Sequence, residues 1–169
     1  MKKIFITLVL LLHTTICLAH PTKIVYGSTE EIMLIPPHII LNAKFDTGAD
    51  SSSLHARNIK IIFINGKKFA SFDTVDQQGI KQHLQYLFVK NSKIKSRTSE
   101  QQGDQTASTL RPEVKLKICI GNETRLIKTN LVDRHQFKFK FLLGREGMNQ
   151  FNMLIDPKKE FLIKLNCDK

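Results

Sequence analysis

Asp46, Thr47 and Gly48 are the residues whose types and spacing most directly suggest chemistry. They follow an apolar stretch ending at Phe45, so a strand would deliver the Asp46 carboxylate to its end while Gly48 permits a tight turn. Two such carboxylates about 3 Å apart cannot both ionise; one acts as a base toward water while the other donates a proton to a carbonyl oxygen. Because Asp before Gly is also common in turns, the triplet alone indicates either a turn or half of a catalytic pair.

A second motif lies downstream, in the segment FLLGREGM at 141–148. Bulky apolar residues are followed there by Gly144 and Arg145 and then by a short helical pattern. In this order, with a β-rich middle between them, the two motifs resemble the aspartic peptidase fold. DTGAD at 46–50 resembles the catalytic loop of retroviral aspartic proteases, and LLGR at 142–145 resembles their later Gly-Arg segment.

The more extensive resemblance is to a bacterial retropepsin-like family long labelled "ATP-dependent zinc protease". The matching pieces are KFDTGADSSSLHA, RPEVKL, LVDRHQFKFKFLLGRE and MLIDPKKEFLI, at 44–56, 111–116, 131–146 and 153–163. The loop from about 74 to 110 fits only loosely. Members of that family more usually carry a basic residue where this chain has Asp50, which makes the loop here more similar to the viral one.

The resemblance implies that Asp46 is the catalytic carboxylate of an aspartic endopeptidase. It implies supporting or substrate-binding roles for the residues around the two motifs: Thr47, Gly48, Ala49, Asp50, Gly144 and Arg145. Thr47 would brace the loop, and Gly48 would leave its backbone open to the active site or the substrate. Asp50 is expected to pair with Arg145, the alternative being two unrelated surface charges. His55 and Arg134 lie at matching positions without a role that the sequence defines.

The zinc and ATP of that family label find no support in the residues. There is no His-Glu-x-x-His, no Cys-x-x-Cys and no phosphate-binding glycine-rich loop. The histidines outside the leader are dispersed along the chain: His20, His38, His55, His83 and His135. We therefore expect neither a metal site nor a cofactor.

A site with two carboxylates needs a second Asp-Thr-Gly, and the chain has only one. FDTV at 72–75 repeats Phe-Asp-Thr but lacks the glycine. A symmetric homodimer with two copies of Asp46 on its axis is the economical solution. The polar residues 91–111 are either disordered or a long hairpin that acts as a flap over a peptide or protein substrate.

Two other functions remain open at this point. One is a non-catalytic module that binds a peptide or an acidic polymer in the cleft of a retropepsin-like fold. The other is a monomer that uses a single aspartate for unrelated chemistry. Mass in solution and the effect of Asp46→Asn on peptide cleavage would distinguish them.

The elements that must position these residues are predicted to be strands almost throughout. The predicted strands are rich in β-branched and aromatic residues: 23–27, 31–35, 38–45, 59–64, 67–72, 83–89, 113–120, 124–132, 137–143, 152–156 and 160–165. Asn65-Gly66 is the strongest hairpin signal, and only 144–151 indicates a short helix. The chain is therefore expected to be an all-β domain, a closed retropepsin-like barrel or folded-over sheet with one short helix.

The first nineteen residues have the layout of a secretory signal peptide, with two lysines, an apolar run and small residues before a cleavage site at Ala19. An uncleaved anchor is the alternative. Residues 20–169 would then be a single domain, periplasmic or secreted, without a membrane span. It retains two cysteines, Cys119 and Cys167, which either form a disulfide or are separate buried thiols.

The residues after the leader are basic, with 24 Lys and Arg against 15 Asp and Glu, a net charge of +9. Such a balance favours acidic partners. The basic residues are scattered, however, and the aromatic residues form no stacking pattern. We therefore do not expect nucleic acid to be a partner.

Overall fold

The structure is a computed structural model that describes residues 23–95 and 108–167. This part of the chain consists of eleven strands and one short helix. In chain order they are β1 Val25–Gly27, β2 Thr29–Ile35, β3 Ile39–Phe45, β4 Ser52–His55, β5 Arg57–Ile64, β6 Lys67–Val75, β7 Lys81–Lys95, β8 Ser108–Ile120, β9 Glu123–Val132, β10 Phe141–Leu143, α1 Arg145–Gln150 and β11 Leu154–Asp156. No helix within these residues is long and apolar enough to cross a membrane.

Six strands form a closed barrel. Neighbours pair in the order β2-β3-β10-β4-β9-β8, and an additional pairing of β2 with β8 closes the ring. From β8 the sheet continues outward through β7 and β6 to β5, which we call the sheet extension. The expected all-β, retropepsin-like barrel with one short helix is thereby confirmed.

The barrel interior follows from the alternation that the sequence displays. In β8, Val114, Leu116 and Ile118 are fully buried, whereas Lys115 and Lys117 between them face solvent. Successive side chains of a strand point to opposite faces, so this pattern places one face of β8 in the core. Similar inward rows from β2, β3 and β9 complete the hydrophobic core.

The hairpin predicted at Asn65-Gly66 is confirmed. Both residues have positive φ angles, 48° and 76°, and Ile64 pairs with Lys67 across the turn. These angles fit the two-residue turns that match the twist of antiparallel strands. The turn leads the chain from β5 into β6 and so builds the sheet extension.

Two predicted strands differ from the structure. The segment 137–143 is extended only at 141–143, because the Lys140 ammonium instead binds carbonyl oxygens of the preceding loop. The segment 160–165 is not a strand. Its backbone follows the Glu30 carboxylate, which accepts the N–H groups of Leu162 and Ile163. Phe161 has a φ of 52°, which no regular strand accommodates.

One strand was not predicted at all. β4 has the sequence SSLH, and all four of its residues are buried. Polar residues inside a sheet give no apolar alternation, so the sequence pattern does not reveal them. This strand pairs with both β10 and β9, and it therefore connects the Asp46 segment to the barrel wall.

A disulfide near the C-terminus and the long β7–β8 hairpin are the remaining features of the fold. Cys119 and Cys167 form a disulfide, which resolves the two alternatives left by the sequence. β7 and β8 pair as far out as Lys95 and Ser108, so the arms of the predicted hairpin are present. Its tip, the proposed leader at 1–19 and the cleavage site lie outside the described residues.

Candidate active site

Two parallel strands bring the two sequence motifs together. β10 lies beside β3 with Leu143 opposite Phe45, so both strands end at the same edge of the sheet. The Asp46 N–H donates to the Leu143 carbonyl oxygen at 3.0 Å. Asp46 and Gly144, 98 positions apart in the chain, are each the next residue after these strand ends.

The segment from Asp46 to Asp50, which we call the Asp46 loop, is a tight turn. The Ala49 N–H donates to the Asp46 carbonyl oxygen at 3.1 Å, and the Gly48 N–H donates to Oδ1 of the Asp46 carboxylate at 2.9 Å. Asp46 is half-buried, whereas Thr47 and Gly48 are exposed. The carboxylate is thus held in a fixed loop at the surface of the barrel.

Gly144 fits tightly against the far end of this loop. A Cβ on Gly144 would lie 2.6 Å from the carbonyl carbon and oxygen of Ser51. The Gly144 N–H donates to the Ser52 hydroxyl at 3.2 Å, and the next N–H, of Arg145, donates to the Ala49 carbonyl oxygen at 2.8 Å. Only glycine allows this close approach, so the apolar-apolar-Gly pattern supports the Asp46 loop from behind.

Asp50 and Arg145 form an ion pair, as the resemblance led us to expect. Both side chains are more than half exposed. The backbone joins the same two segments, since the Glu146 N–H donates to the Asp50 carbonyl oxygen at 3.0 Å. This ion pair therefore adds a side-chain contact to a loop that the backbone already positions.

Arg134 is the site residue whose role the sequence did not define. Its guanidinium is buried, donates to the Ser53 hydroxyl at 3.0 Å and to the Phe139 carbonyl oxygen at 3.2 Å, and lies over the Phe137 ring. Burial lowers the pKa of Arg134; the neighbouring Arg111 lowers it further, and the Asp46 carboxylate raises it. Arg134 therefore interacts electrostatically with Asp46 as well as with Arg111.

His55 holds the backbone of this arginine. The Arg134 N–H donates to Nδ1 of His55 at 2.9 Å, so the neutral imidazole carries its proton on Nε2. Asp133 lies 3.4 Å from the same nitrogen and contacts His135 at 2.9 Å. The role of His55 is therefore to position the Arg134 segment. In the sequence, only the position of His55 in the matched segment 44–56 could have indicated this role.

Asp73, the aspartate of the FDTV segment, is bound elsewhere. Its carboxylate accepts from Asn58 at 2.7 Å, contacts His83 at 2.8 Å and forms an ion pair with Lys81 at 3.0 Å. The hydrogen bond from Asn58, followed by those from His83 and Lys81, lowers the pKa of Asp73 far below its usual range. Asp73 is thus an ionised structural group of the sheet extension.

No group of three or more His, Cys, Asp or Glu within residues 23–95 and 108–167 is arranged to hold a metal ion. The described site contains the Asp46 loop and, close enough to interact with its carboxylate, the charge of Arg134.

Comparison with protein families matches residues 25–166 to the RimB-like family, described as "Retropepsin-like aspartic endopeptidase RimB". The chain belongs to the RimB-like family.

Curated relatives of this RimB-like chain carry a different name. Two proteins named "Probable alpha-L-glutamate ligase", from Shewanella pealeana and Parasynechococcus marenigrum, are 28% and 29% identical over 73% and 80% of the chain. The matched regions are only 26% and 28% of those proteins, so the chain spans about a quarter of the length of these relatives.

A solved structure has the same fold. The crystal structure of a protein of unknown function from Legionella pneumophila subsp. pneumophila str. Philadelphia 1 is similar with a TM-score of 0.70 and 34% identity. The match covers 85% of this chain and 100% of the Legionella chain. The fold of this chain is therefore also that of the Legionella protein.

Proposed function

We propose that this RimB-like protein is an exported aspartic endopeptidase that acts as a homodimer. The observation that carries the proposal is the Asp46 loop, which presents one half-buried carboxylate at a strand end, next to the exposed Thr47 and Gly48. A second copy of the same loop, related by a two-fold axis, would supply the second carboxylate. The retropepsin-like family supports this arrangement.

In the proposed mechanism the two copies of Asp46 share one proton. The ionised carboxylate removes a proton from water as the water oxygen attacks the peptide carbonyl carbon, and the protonated carboxylate donates its proton to the carbonyl oxygen. The tetrahedral intermediate then breaks its C–N bond: the leaving nitrogen takes a proton from the dyad, and a hydroxyl group of the intermediate returns a proton to the dyad as the product carboxyl group forms. Gly144 and the Asp50–Arg145 ion pair keep each loop in register for these transfers.

We further propose that the substrate peptide is acidic around the scissile bond. The charge of the buried Arg134 interacts with the Asp46 carboxylate and with Arg111, so guanidinium charge accompanies the carboxylate of the site. Guanidinium groups bind carboxylates in a planar, bidentate geometry. The names of the curated relatives agree with an acidic substrate, because the region similar to this chain is part of a protein named as a probable glutamate ligase. Glutamate-rich peptides are therefore the first substrates to test.

A subunit-mixing experiment tests the dimeric mechanism. Wild type and Asp46→Asn are mixed in equal amounts under conditions of subunit exchange, and cleavage of a blocked glutamate-rich peptide is followed by mass spectrometry. If both carboxylates are required, only the dimers with two wild-type chains are active. The activity of the mixture is then about one quarter of that of pure wild type at the same total protein concentration. A fall to about one half would show that each chain acts alone.

Wild type mixed with Lys115→Gln is the matched control. Lys115 is exposed on β8, and its replacement is expected to leave activity unchanged at every mixing ratio. Cleavage that survives in pure Asp46→Asn would exclude Asp46 as the catalyst. A strictly monomeric mass together with absence of cleavage would also overturn the peptidase proposal.

A non-catalytic module that binds acidic polymers is the second candidate. The interaction of the Arg134 charge with Asp46 and the ligase names of the relatives favour it. In that case wild type and Asp46→Asn would bind the same glutamate-rich peptide with similar affinity and neither would cleave it. Arg134→Gln would then weaken binding in both backgrounds.

A further inference from the structure

The end of the β5–β6 hairpin exposes large apolar side chains on both of its faces. Phe63 is 68% exposed, more than any other large apolar side chain of residues 23–95 and 108–167, and Ile61 and Ile64 are 41% and 37% exposed. Successive side chains of a strand alternate between faces, so Ile61 and Phe63 lie on one face of the hairpin and Ile64 lies on the other. Single exposed apolar residues are ordinary, but a contiguous cluster of them marks an interaction surface.

Lysines accompany these apolar side chains on both faces. In the β5–β6 register Phe63 lies opposite Lys68, and the Lys68 ammonium is 5.6 Å from the centroid of the Phe63 ring. Ile64 lies opposite Lys67 in the same register. Directly opposite residues of an antiparallel pair share a face of the sheet, so each face combines an exposed apolar group with a positive charge.

The residues 60–68, which we call the hairpin tip, contain no acidic side chain. Lys60, Lys67 and Lys68 are all exposed, and none of them forms an ion pair with another residue of the described chain. β5 is also the last strand of the sheet extension, so the outer edge of the tip has no neighbouring strand among the described residues. The tip is therefore a positively charged, apolar projection at the edge of the sheet.

These features favour a membrane surface with anionic phospholipids as the partner. A second copy of the tip would bring three lysines against three lysines, and like charges repel. A protein that packs on a sheet covers one face of it, whereas the apolar groups here lie on both faces of the hairpin. A lipid interface surrounds an inserted tip on all sides, and its phosphates attract lysines close to the surface.

The dimensions of the tip also suit the lipid interface. The three residue steps from Ile61 to Ile64 span about 10 Å along the strand. Interfacial segments bury their apolar side chains about 5–10 Å deep, at the boundary between headgroups and acyl chains. Lysine stems can lie along apolar groups at this depth while their ammonium groups reach the phosphates.

We propose that the hairpin tip docks on a bilayer surface that contains an anionic phospholipid such as phosphatidylglycerol. Phe63 enters the interface, and Lys60, Lys67 and Lys68 bind lipid phosphates. The tip contains none of the residues assigned to the candidate active site, so this inference is independent of the proposed peptidase. It adds a place of action, a membrane surface, that the proposed activity does not contain.

Phe63→Trp tests the insertion directly, because the chain has no tryptophan of its own. The protein is expressed from the full sequence and mixed with vesicles of equal parts phosphatidylglycerol and phosphatidylcholine. We expect the fluorescence to shift to the blue and to be quenched by lipids brominated on their acyl chains. Leu126→Trp, at a side chain 53% exposed on β9, is the matched reporter and is expected to keep its aqueous emission.

Two results of this experiment would overturn the proposal. An unchanged spectrum of the Phe63→Trp variant would show that the tip does not enter the lipid. A blue shift in both variants would show that the protein unfolds on the vesicles instead of docking through the tip.

Cosedimentation with the same vesicles tests the lysines. Lys67→Gln/Lys68→Gln is expected to weaken binding at least about tenfold, and vesicles of phosphatidylcholine alone should bind wild type at least about tenfold more weakly. Lys115→Gln/Lys117→Gln is the control with the same change in net charge, at two exposed lysines of β8, and should change binding by less than about threefold. Equal losses in the two double variants would show diffuse attraction of a basic protein and would contradict a docking site.

A protein partner at the tip would give different results. If the tip joined two copies, Phe63→Ser would lower the mass in solution without lipid. If it bound an acidic peptide, a blocked glutamate-rich peptide would shift the Phe63→Trp fluorescence without lipid. Either result without a response to the vesicles would overturn the membrane proposal.

Discussion

The backbone N–H of Arg134 donates to Nδ1 of His55 at 2.9 Å, and this hydrogen bond links a histidine to the electrostatics of the candidate catalytic aspartate. The guanidinium of the same arginine is buried close enough to Asp46 for the carboxylate to raise its pKa. Neutral His55 is the form that accepts this bond. The protonation state of one imidazole therefore affects how firmly the Arg134 segment is held.

The first prediction concerns pH and stability. Burial lowers the pKa of His55 below 6.5; Asp133 opposes this, while Lys140, Arg57 and His135 add to it. The folded protein thus binds a proton at His55 more weakly than the unfolded chain does. The contribution of His55 to the free energy of unfolding is therefore complete above about pH 6.5 and is lost as the pH falls below that value. We expect the urea midpoint to fall less steeply between pH 7.5 and pH 5 in His55→Asn, whose Oδ1 corresponds in position to Nδ1 of the histidine and retains an acceptor for the Arg134 N–H.

His38→Asn is the control for this titration. His38 is exposed and has a φ of 73°, which asparagine tolerates. Its pH profile is expected to follow that of wild type. A His55→Asn profile that coincides with the wild-type profile would show that His55 does not contribute to the pH dependence.

The second prediction concerns the Arg134 side chain. Lysine retains the charge but cannot donate to both the Ser53 hydroxyl and the Phe139 carbonyl oxygen from one planar group. Hydrogen bonds from charged groups contribute about 1.5–3 kcal/mol, so Arg134→Lys is expected to lower the free energy of unfolding by about 2 kcal/mol. Arg125→Lys is the matched control, because Arg125 also lies over an aromatic ring but is exposed. Equal losses in the two variants would contradict the prediction.

Much of the fold was predictable because the barrel strands show their buried face as alternation. Val114, Leu116 and Ile118 are an example, and the turn at Asn65-Gly66 joins its strands as its residue types require. β4 was not predictable for the opposite reason. Its serines are buried because distant groups use their hydroxyls, as the Gly144 N–H uses Ser52 and the Arg134 guanidinium uses Ser53.

The candidate site was predictable only where its residues lie in the two recognisable motifs. The residue types at Asp46 to Gly48 indicated a turn, the family resemblance indicated a pairing of Asp50 with Arg145, and the structure has both contacts. The position of Arg134 depends instead on how the segment after β9 folds back toward the Asp46 loop. That path is determined by contacts such as His55 with the Arg134 backbone, which join residues 79 positions apart.

The third prediction concerns the disulfide between Cys119 and Cys167. It closes a segment with a sequence separation of 48, for which the chain-entropy relation gives a stabilisation of about 4 kcal/mol. The double variant Cys119→Ala/Cys167→Ala is expected to lose about 2–4 kcal/mol in urea unfolding. A reducing agent should weaken wild type and leave the double variant unchanged. Two titratable thiols in the native, unreduced protein would contradict the pairing.

The fourth prediction compares the steric effect of an added Cβ at one glycine with the effect of an unfavourable φ angle at another. Gly144 has a φ of −88°, which any residue adopts, but a Cβ there would meet the backbone of Ser51 at 2.6 Å. Gly79 has a φ of 82° and open space around it. We expect Gly144→Ala to cost about 2–4 kcal/mol and to abolish cleavage, since the Asp46 loop must shift. Gly79→Ala should cost only about 1–2 kcal/mol from its backbone conformation and leave cleavage intact.

The fifth prediction concerns the ion pair of Asp50 and Arg145. Their side chains are 74% and 56% exposed, so water screens the attraction, and Asp50→Asn or Arg145→Gln should each change the free energy of unfolding by less than about 1 kcal/mol. Cleavage is expected to fall by no more than about fivefold, because the backbone already positions the loop that carries Asp46 and the ion pair adds one contact to it. Since both substitutions remove one contact, the double variant should be no slower than either single one. Additive losses in kcat/KM would show instead that the two residues act separately, each on the substrate.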